Sequence, residues 1–232
     1  MRTALVILTI PTLAVAGLAG CTLRPAGDPV SQERDIEAVT AVVLESAGDL
    51  RISEGEPSLV IHAGSRVIES LTSDVRGDQL VLGTDRRLPF GPGEVRYELT
   101  LPSLGSVRVS GAGDVDGSVS GDTLELEIDG AGDVAFDGID ASSVSVSIDG
   151  SGEVELSGDA DELDIRVSGA GSVDAAALTG ARVEIDIDGA GDAEVHATDA
   201  LDVRVSGAGD VTYSGDPEVT REIDGIGDVR PS

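Results

Sequence analysis

Ser110-Gly111-Ala112-Gly113-Asp114-Val115 is a phrase that the second half of the chain repeats. It returns as Asp129-Gly130-Ala131-Gly132-Asp133-Val134 and begins again at Asp149, Ser168, Asp188, Ser206 and Asp224, each time as Ser or Asp, Gly, a small or apolar residue, Gly. The leading glycines stand at Gly111, Gly130, Gly150, Gly169, Gly189, Gly207 and Gly225, so the steps are 19, 20, 19, 20, 18 and 18 residues. A fixed period near 20 marks a unit that cannot bury its own apolar face and must stack on its neighbours.

The residues around each phrase say what the unit is. Before the glycine pair, Leu124-Leu126-Ile128, Val144-Val146-Ile148, Leu163-Ile165-Val167, Val183-Ile185-Ile187 and Leu201-Val203-Val205 alternate with polar residues. After it, Val134-Phe136, Val154-Leu156, Val173-Ala175, Ala193-Val195 and Val211-Tyr213 do the same. Period-two alternation is the mark of strands with one buried face. Two strands per coil, a Gly-x-Gly corner and a variable turn such as 137–143 or 157–162 describe an all-β parallel solenoid. Parallel crossovers are right-handed almost without exception, so the expected fold is a right-handed parallel β-helix with coils of about 19 residues. Glycine suits the corner because it reaches positive φ and lets adjacent corners approach closely. At about 4.8 Å per coil the seven corners give a body about 30 Å long.

The outward positions carry charge. Two residues before each phrase stand Arg108, Glu127, Ser147, Arg166, Asp186, Arg204 and Glu222, whose signs largely alternate and set opposite charges side by side in neighbouring coils. Just after the glycine pair stand Asp114, Asp133, Glu153, Ser172, Asp192, Asp210 and Asp228, a nearly unbroken acidic column. Like charges 5 Å apart repel by about 0.8 kcal/mol even in water, so something must compensate them. One explanation is that each carboxylate accepts N–H bonds from its own corner while salt screens the rest. The other is that Ca²⁺ sits among Asp129, Asp133, Asp149, Glu153, Asp188, Asp192, Asp210, Asp224 and Asp228, hard oxygen ligands of the kind such ions prefer. Calcium-binding nonapeptide repeats also combine Gly with Asp, but with the aspartate one residue further on. No other cofactor is expected.

The N-terminal part reads differently. Residues 1–20 have a positive Arg2, an apolar run from Ala4 to Ala16 too short to span a membrane, and Leu18-Ala19-Gly20 before Cys21, the lipobox of a bacterial lipoprotein signal peptide. Cys21 is then the lipidated residue, and as the single cysteine it forms no intrachain disulfide. Residues 21–37, with Pro25, Gly27 and Pro29, have the composition of a flexible tether. The folded domain is expected over 38–230. Residues 38–104 form about six irregular strands, including one at Val67-Ile68 and a loop at 86–93, and residues 105–230 form the regular repeats. In the last coil Arg221 takes a position that earlier coils give to an aliphatic residue, and with Pro231 it guards an exposed C-terminal end.

Composition limits the function. A net charge of −29 and a pI near 4.1 exclude nucleic acid as a partner and repel an anionic bilayer surface. Aromatics are 2% and Trp is absent, which leaves little to stack on sugar rings. His62 and His196 lie in different segments without a nearby Ser or Cys pattern.

The lipobox, the alternating N-terminal strands, the tandem phrases and the closing Tyr213-Ser214-Gly215-Asp216-Pro217-Glu218-Val219 with Ile223-Asp224-Gly225-Ile226-Gly227-Asp228-Val229 together resemble the putative auto-transporter adhesin family, also called the head GIN domain. The resemblance covers about residues 39–230. It implies a β-helix, surface binding without catalytic residues, and a position at the cell surface or elsewhere outside the cytoplasm, held to the membrane through lipid on Cys21. An envelope or extracellular protein or glycan is then the expected ligand. The alternatives are a polysaccharide-active β-helix enzyme with paired carboxylates as acid and base, and a calcium-stabilised envelope protein.

Overall fold

The computed structural model describes residues 27–85, 94–118 and 121–232. The signal segment, Cys21 and the 86–93 loop lie outside them. The regular part is a parallel β-solenoid. Its first coil uses β8 (Ser106–Val109) and β9 (Val115–Gly117), its second begins with β10 (Thr123–Ile128), and its middle coils are built from β11 (Val134–Ile148), β12 (Glu153–Val167), β13 (Ser172–Ile187) and β14 (Ala193–Val205). It ends with β15 (Val211–Ser214), β16 (Glu218–Ile223) and β17 (Val229–Pro231).

Register follows the repeat. Ile128, Ile148, Val167, Ile187, Val205 and Ile223 pair in sequence up the stack, as do Val134, Val154, Val173, Ala193, Val211 and Val229. All but the terminal Ile223 are buried, so each coil closes the apolar face of the one beneath it. A one-residue slip would turn these side chains to water, which fixes the pairing.

The variable turn is itself part of the wall. Each of β11 to β13 runs unbroken past the second bend. Ile139 pairs with Gly158 and Ala141 with Ala160, with only a register shift between Phe136 and Ile139. Ile139, Ala160, Leu178 and Ala197 point inward and are buried. Length variation is absorbed by bulges within ladder-bonded strands.

The corner glycines also differ from expectation. The positive-φ glycines among the described residues are Gly27, Gly55, Gly77, Gly138, Gly158 and Gly215, and none belongs to a Gly-x-Gly corner. Space is the reason glycine stands there. A Cβ added at Gly130 would lie 2.0 Å from the Gly111 carbonyl oxygen, at Gly150 2.0 Å from that of Gly130, and at Gly207 1.9 Å from that of Gly189. The corners are stitched by hydrogen bonds: from the second corner on, the middle residue donates its N–H to the leading glycine below, as Ala131 does to Gly111 (3.0 Å) and Ile226 to Gly207 (2.8 Å).

The N-terminal segment caps the stack by continuing both walls. Below β8 lie β2 (Ala41–Leu44), β6 (Gln79–Thr84) and β5 (Leu71–Arg76). Below β9 lie β3 (Asp49–Glu54), β7 (Arg96–Leu101), β4 (Ser58–Gly64) and β1 (Pro29–Arg34). The outer strands β5, β4 and β1 are antiparallel, which ends the solenoid with hairpin pairing. Two details depart from the sequence reading. Val67 and Ile68 are not a strand: Val67 precedes a short 3-10 helix, Ile68–Ser70, and turns its side chain into the core. Residues 29–34, read as tether, form β1, because the open edge of β4 supplies ladder partners that compensate for a sequence with little apolar surface of its own.

At the other end Arg221 pairs in register with Val203, as the alignment of coils requires. Its side chain is exposed, and its Nη1 donates to the Val229 carbonyl (3.1 Å).

Replacing a corner glycine must push two coils apart, because the obstructing atom is backbone. Gly150→Ala is expected to cost about 3 kcal/mol or more. Gly138→Ala, at φ +67 with open space around it, is expected to cost about 1–2 kcal/mol from backbone strain alone. Thermal melting of both variants checks this ranking, and equal losses would mean that the corners are not in contact.

Candidate functional site

The surface of the stack is two flat walls bearing columns of outward side chains. On the wall that contains β9, the acidic column after each corner is ordered by hydrogen bonds that cross from coil to coil. The Asp114 carboxylate accepts the Asp133 N–H (3.1 Å), Asp133 accepts that of Glu153 (2.9 Å), Asp192 that of Asp210 (2.8 Å) and Asp210 that of Asp228 (2.9 Å). The donor is therefore the next coil, not the carboxylate's own corner as the sequence suggested. The corner interrupts the ladder, and a short carboxylate replaces the missing carbonyl. Where the column has Glu153, the next amide, Ser172 N–H, turns to the Gly152 carbonyl instead (3.1 Å).

The partner column on this wall runs Glu98, Arg51, Asp116, Ala135, Glu155, Asp174, Glu194, Thr212 and Arg230 in register. Arg51 and Asp116 form a double contact (2.8 and 3.3 Å) that raises the arginine above its usual range, and Arg230 reaches Asp210 at 3.5 Å. Shallow depressions lie at both ends of this face. One of about 400 Å³ lies between Asp49, Arg51, Arg96 and Asp133; another of about 270 Å³ lies between Glu153, Asp174, Asp192 and Arg230.

On the opposite wall the alternating column has the expected register, with Arg108 beside Glu127, Arg166 beside Asp186, and Arg204 between Asp186 and Glu222. Arg108 bridges Glu127 (2.7 Å) and Asp129 (2.8 Å). Its hydrogen bond to Asp129 holds the guanidinium above its ordinary value, while desolvation pushes the Glu127 carboxyl up against the pull of Arg108. The other arginines choose differently. Arg166 pairs with Asp164 two residues before it on its own strand (2.5 Å), and Arg204 reaches its diagonal neighbour Glu184 (2.6 Å), because long side chains on a sheet reach these positions as readily as the direct partner.

The carboxylates considered for calcium are thus spread along the stack. Asp188 accepts from the Ser206 hydroxyl (2.7 Å), Asp129 holds Arg108, and Asp133, Asp192 and Asp210 hold backbone amides. Among the described residues no three of His, Cys, Asp or Glu gather closely enough to hold a metal ion.

Both histidines have serine partners that sequence proximity could not reveal. His62 Nδ1 is 2.8 Å from the Ser31 hydroxyl, and its Nε2 is 3.4 Å from Glu98; His196 Nδ1 is 2.7 Å from the Ser214 hydroxyl. The partners are 31 and 18 residues away in sequence, joined by strand pairing. His62 ties β1 to β4 on an open strand face beside the Arg96–Glu94 ion pair (2.9 Å). A depression of about 350 Å³ lies on this face, lined by Ser31, His62, Glu94 and Arg96 among others.

Among the described residues no helix is long and apolar enough to cross a membrane. A family model described as putative auto-transporter adhesin, head GIN domain, matches residues 39–217. Solved structures with the same fold include a putative adhesin from Bacteroides fragilis, 22% identical over 88% of this chain and 97% of that one, with a TM-score of 0.85. A putative lipid binding protein from Parabacteroides distasonis is 21% identical over 89% and 97%, with a TM-score of 0.74. A putative adhesin from the same organism is 20% identical over 89% and 98%, with a TM-score of 0.73. Among curated proteins none matches the chain.

With Asp129, Asp133, Asp188, Asp192 and Asp210 engaged by an arginine, amides and a hydroxyl, melting temperature is expected to be the same in excess chelator and in millimolar calcium; a calcium-dependent rise would restore the metal reading. Asp210→Ala leaves the Asp228 amide without its acceptor and is expected to cost about 1 kcal/mol, most of which Asp210→Asn recovers. Denaturant titration of the two variants checks this.

Proposed function

The chain belongs to the putative auto-transporter adhesin, head GIN domain family, and from that premise we propose that it is a lipid-anchored, extracytoplasmic binding and structural module that performs no catalysis. The observation that carries this reading is the repetition of the surface. Successive coils present the same kinds of outward residue along two flat walls, so a partner meets an extended array, whereas an enzyme needs a constellation that breaks the pattern at one place. A glycoside hydrolase, for example, sets two carboxylates across a single cleft.

The anchor follows from Leu18-Ala19-Gly20-Cys21. β1 begins at Pro29, so the chain between lipid and fold reaches at most about 30 Å. A tether this short keeps the cap end near the bilayer. The acidic walls are repelled by anionic headgroups, which favours a body that stands off the surface and presents its walls to an envelope or extracellular protein or glycan.

Metabolic labelling with palmitate is expected to mark the wild-type protein and leave Cys21→Ala unlabelled and released from membranes; a membrane-bound Cys21→Ala protein would contradict the anchor. On arrays of glycans and extracellular matrix proteins the immobilised chain is expected to retain ligand without releasing product. Any turnover of a glycan would overturn the non-catalytic reading.

A further inference from the structure

The terminal coil repeats, on its free side, the features by which every inner coil holds the next. β16 pairs with β14 on one edge, and among the described residues nothing pairs with the other. In the coils below, the last carbonyl of this strand accepts N–H bonds from the next coil: Ile187 accepts from Ser206 (2.8 Å) and Gly207 (3.3 Å), and Val205 from Asp224 (2.8 Å). The Gly207 carbonyl likewise accepts from Ile226. The Ile223 and Gly225 carbonyls hold the same positions, and among the described residues no coil lies above them. Beside them Ile226 is 84% exposed and Ile223 37% exposed, at positions where the coil below has Ala208 and a buried Val205.

We propose that the free edge of β16 takes up a basic, extended segment of a partner protein by strand addition, parallel to β16 as a further coil would be. The proposal names the partner class for the binding role proposed above and rests on it. Charge selects the occupant. Outward along β16 stand Glu218, Thr220 and Glu222, and Glu222 ends a run of Arg166, Asp186 and Arg204 in which the next sign is positive. A segment alternating basic and apolar residues sets cations beside Glu218 and Glu222 and apolar side chains beside Val219, Arg221 and Ile223; one added strand does not close the end of the core, so the exposed Arg221 keeps water and the Val229 carbonyl. A second copy of this chain fits poorly. Stacking a full coil would trap Arg221 over an apolar interior, and two acidic ends would face each other.

The test is fluorescence anisotropy of a labelled octapeptide of alternating arginine and valine, titrated with the full chain, with a glutamate–valine octapeptide as control. Saturable binding of the basic peptide alone is expected, with Kd raised about tenfold by Glu222→Arg and changed less than twofold by Glu56→Arg, an exposed charge reversal in the cap. Hydrogen exchange is expected to show new protection at the β16 amides. Absence of saturable binding, equal losses in both variants, or protection elsewhere overturns the proposal. So does a dimer in light scattering that Ile223→Lys dissociates, since the occupant would then be a second copy. These outcomes leave the array experiment on the walls unaffected, so the two readings fail separately.

Discussion

The structure depends on backbone meeting backbone at the corners. At each Gly-x-Gly the carbonyl of one coil sits where the Cβ of the next would be, within about 2 Å, and the middle residue of the corner donates its amide across the same gap. Any side chain there lifts the coil above, and the lift is felt along both walls, because each wall is a continuous ladder. The constraint is steric and local, yet it fixes a global quantity, the rise per coil. Two glycines at a fixed spacing, repeated every 18 to 20 residues, are enough to impose it.

Once the rise is set, the other features follow. Inward columns of Val, Ile and Leu bury one another, and a chain with 2% aromatic residues can fill its narrow core with them. Outward columns bring like residues within hydrogen-bonding reach of the coil beyond, and the aspartates turn that proximity to use by bonding its amides. The ends are handled differently. At the N-terminus antiparallel strands close the walls, with Tyr97 buried inside and bonded to Ser46 (3.0 Å), its hydroxyl pKa raised by burial. At the C-terminus the Arg221 guanidinium bonds the Val229 carbonyl, and among the described residues the outer edge of β16 stays open.

Much of this was legible in the sequence. The glycine spacing and flanking alternation gave the coil length, the inward residues, the register of the charged column and the exposed end, because strand register has no freedom once one face is apolar. What was not legible depends on distance across coils. Glycine's reason for standing at the corner was half misread, since its tolerance of positive φ is a property of the residue alone, whereas its lack of a Cβ matters only against the coil below. The donor to each aspartate, the same-strand partner of Arg166, the diagonal partner of Arg204, and the serines beside His62 and His196 are likewise set by neighbours 18 to 31 residues away or by side-chain reach. Residues 29–34 read as linker because a strand held by backbone bonds to β4 and by polar contacts such as Ser31 with His62 needs no apolar pattern.

The central claim is that successive repeats lie directly above one another at a constant rise. Spin labels at Glu125 and Asp202, four coils apart in register, and at Glu125 and Thr220, five coils apart, measure that rise by pulsed electron resonance. The stack requires backbone separations near 19 and 24 Å, a difference of about 4.8 Å for one added coil. Equal distances, or a shorter distance for the second pair, would contradict it.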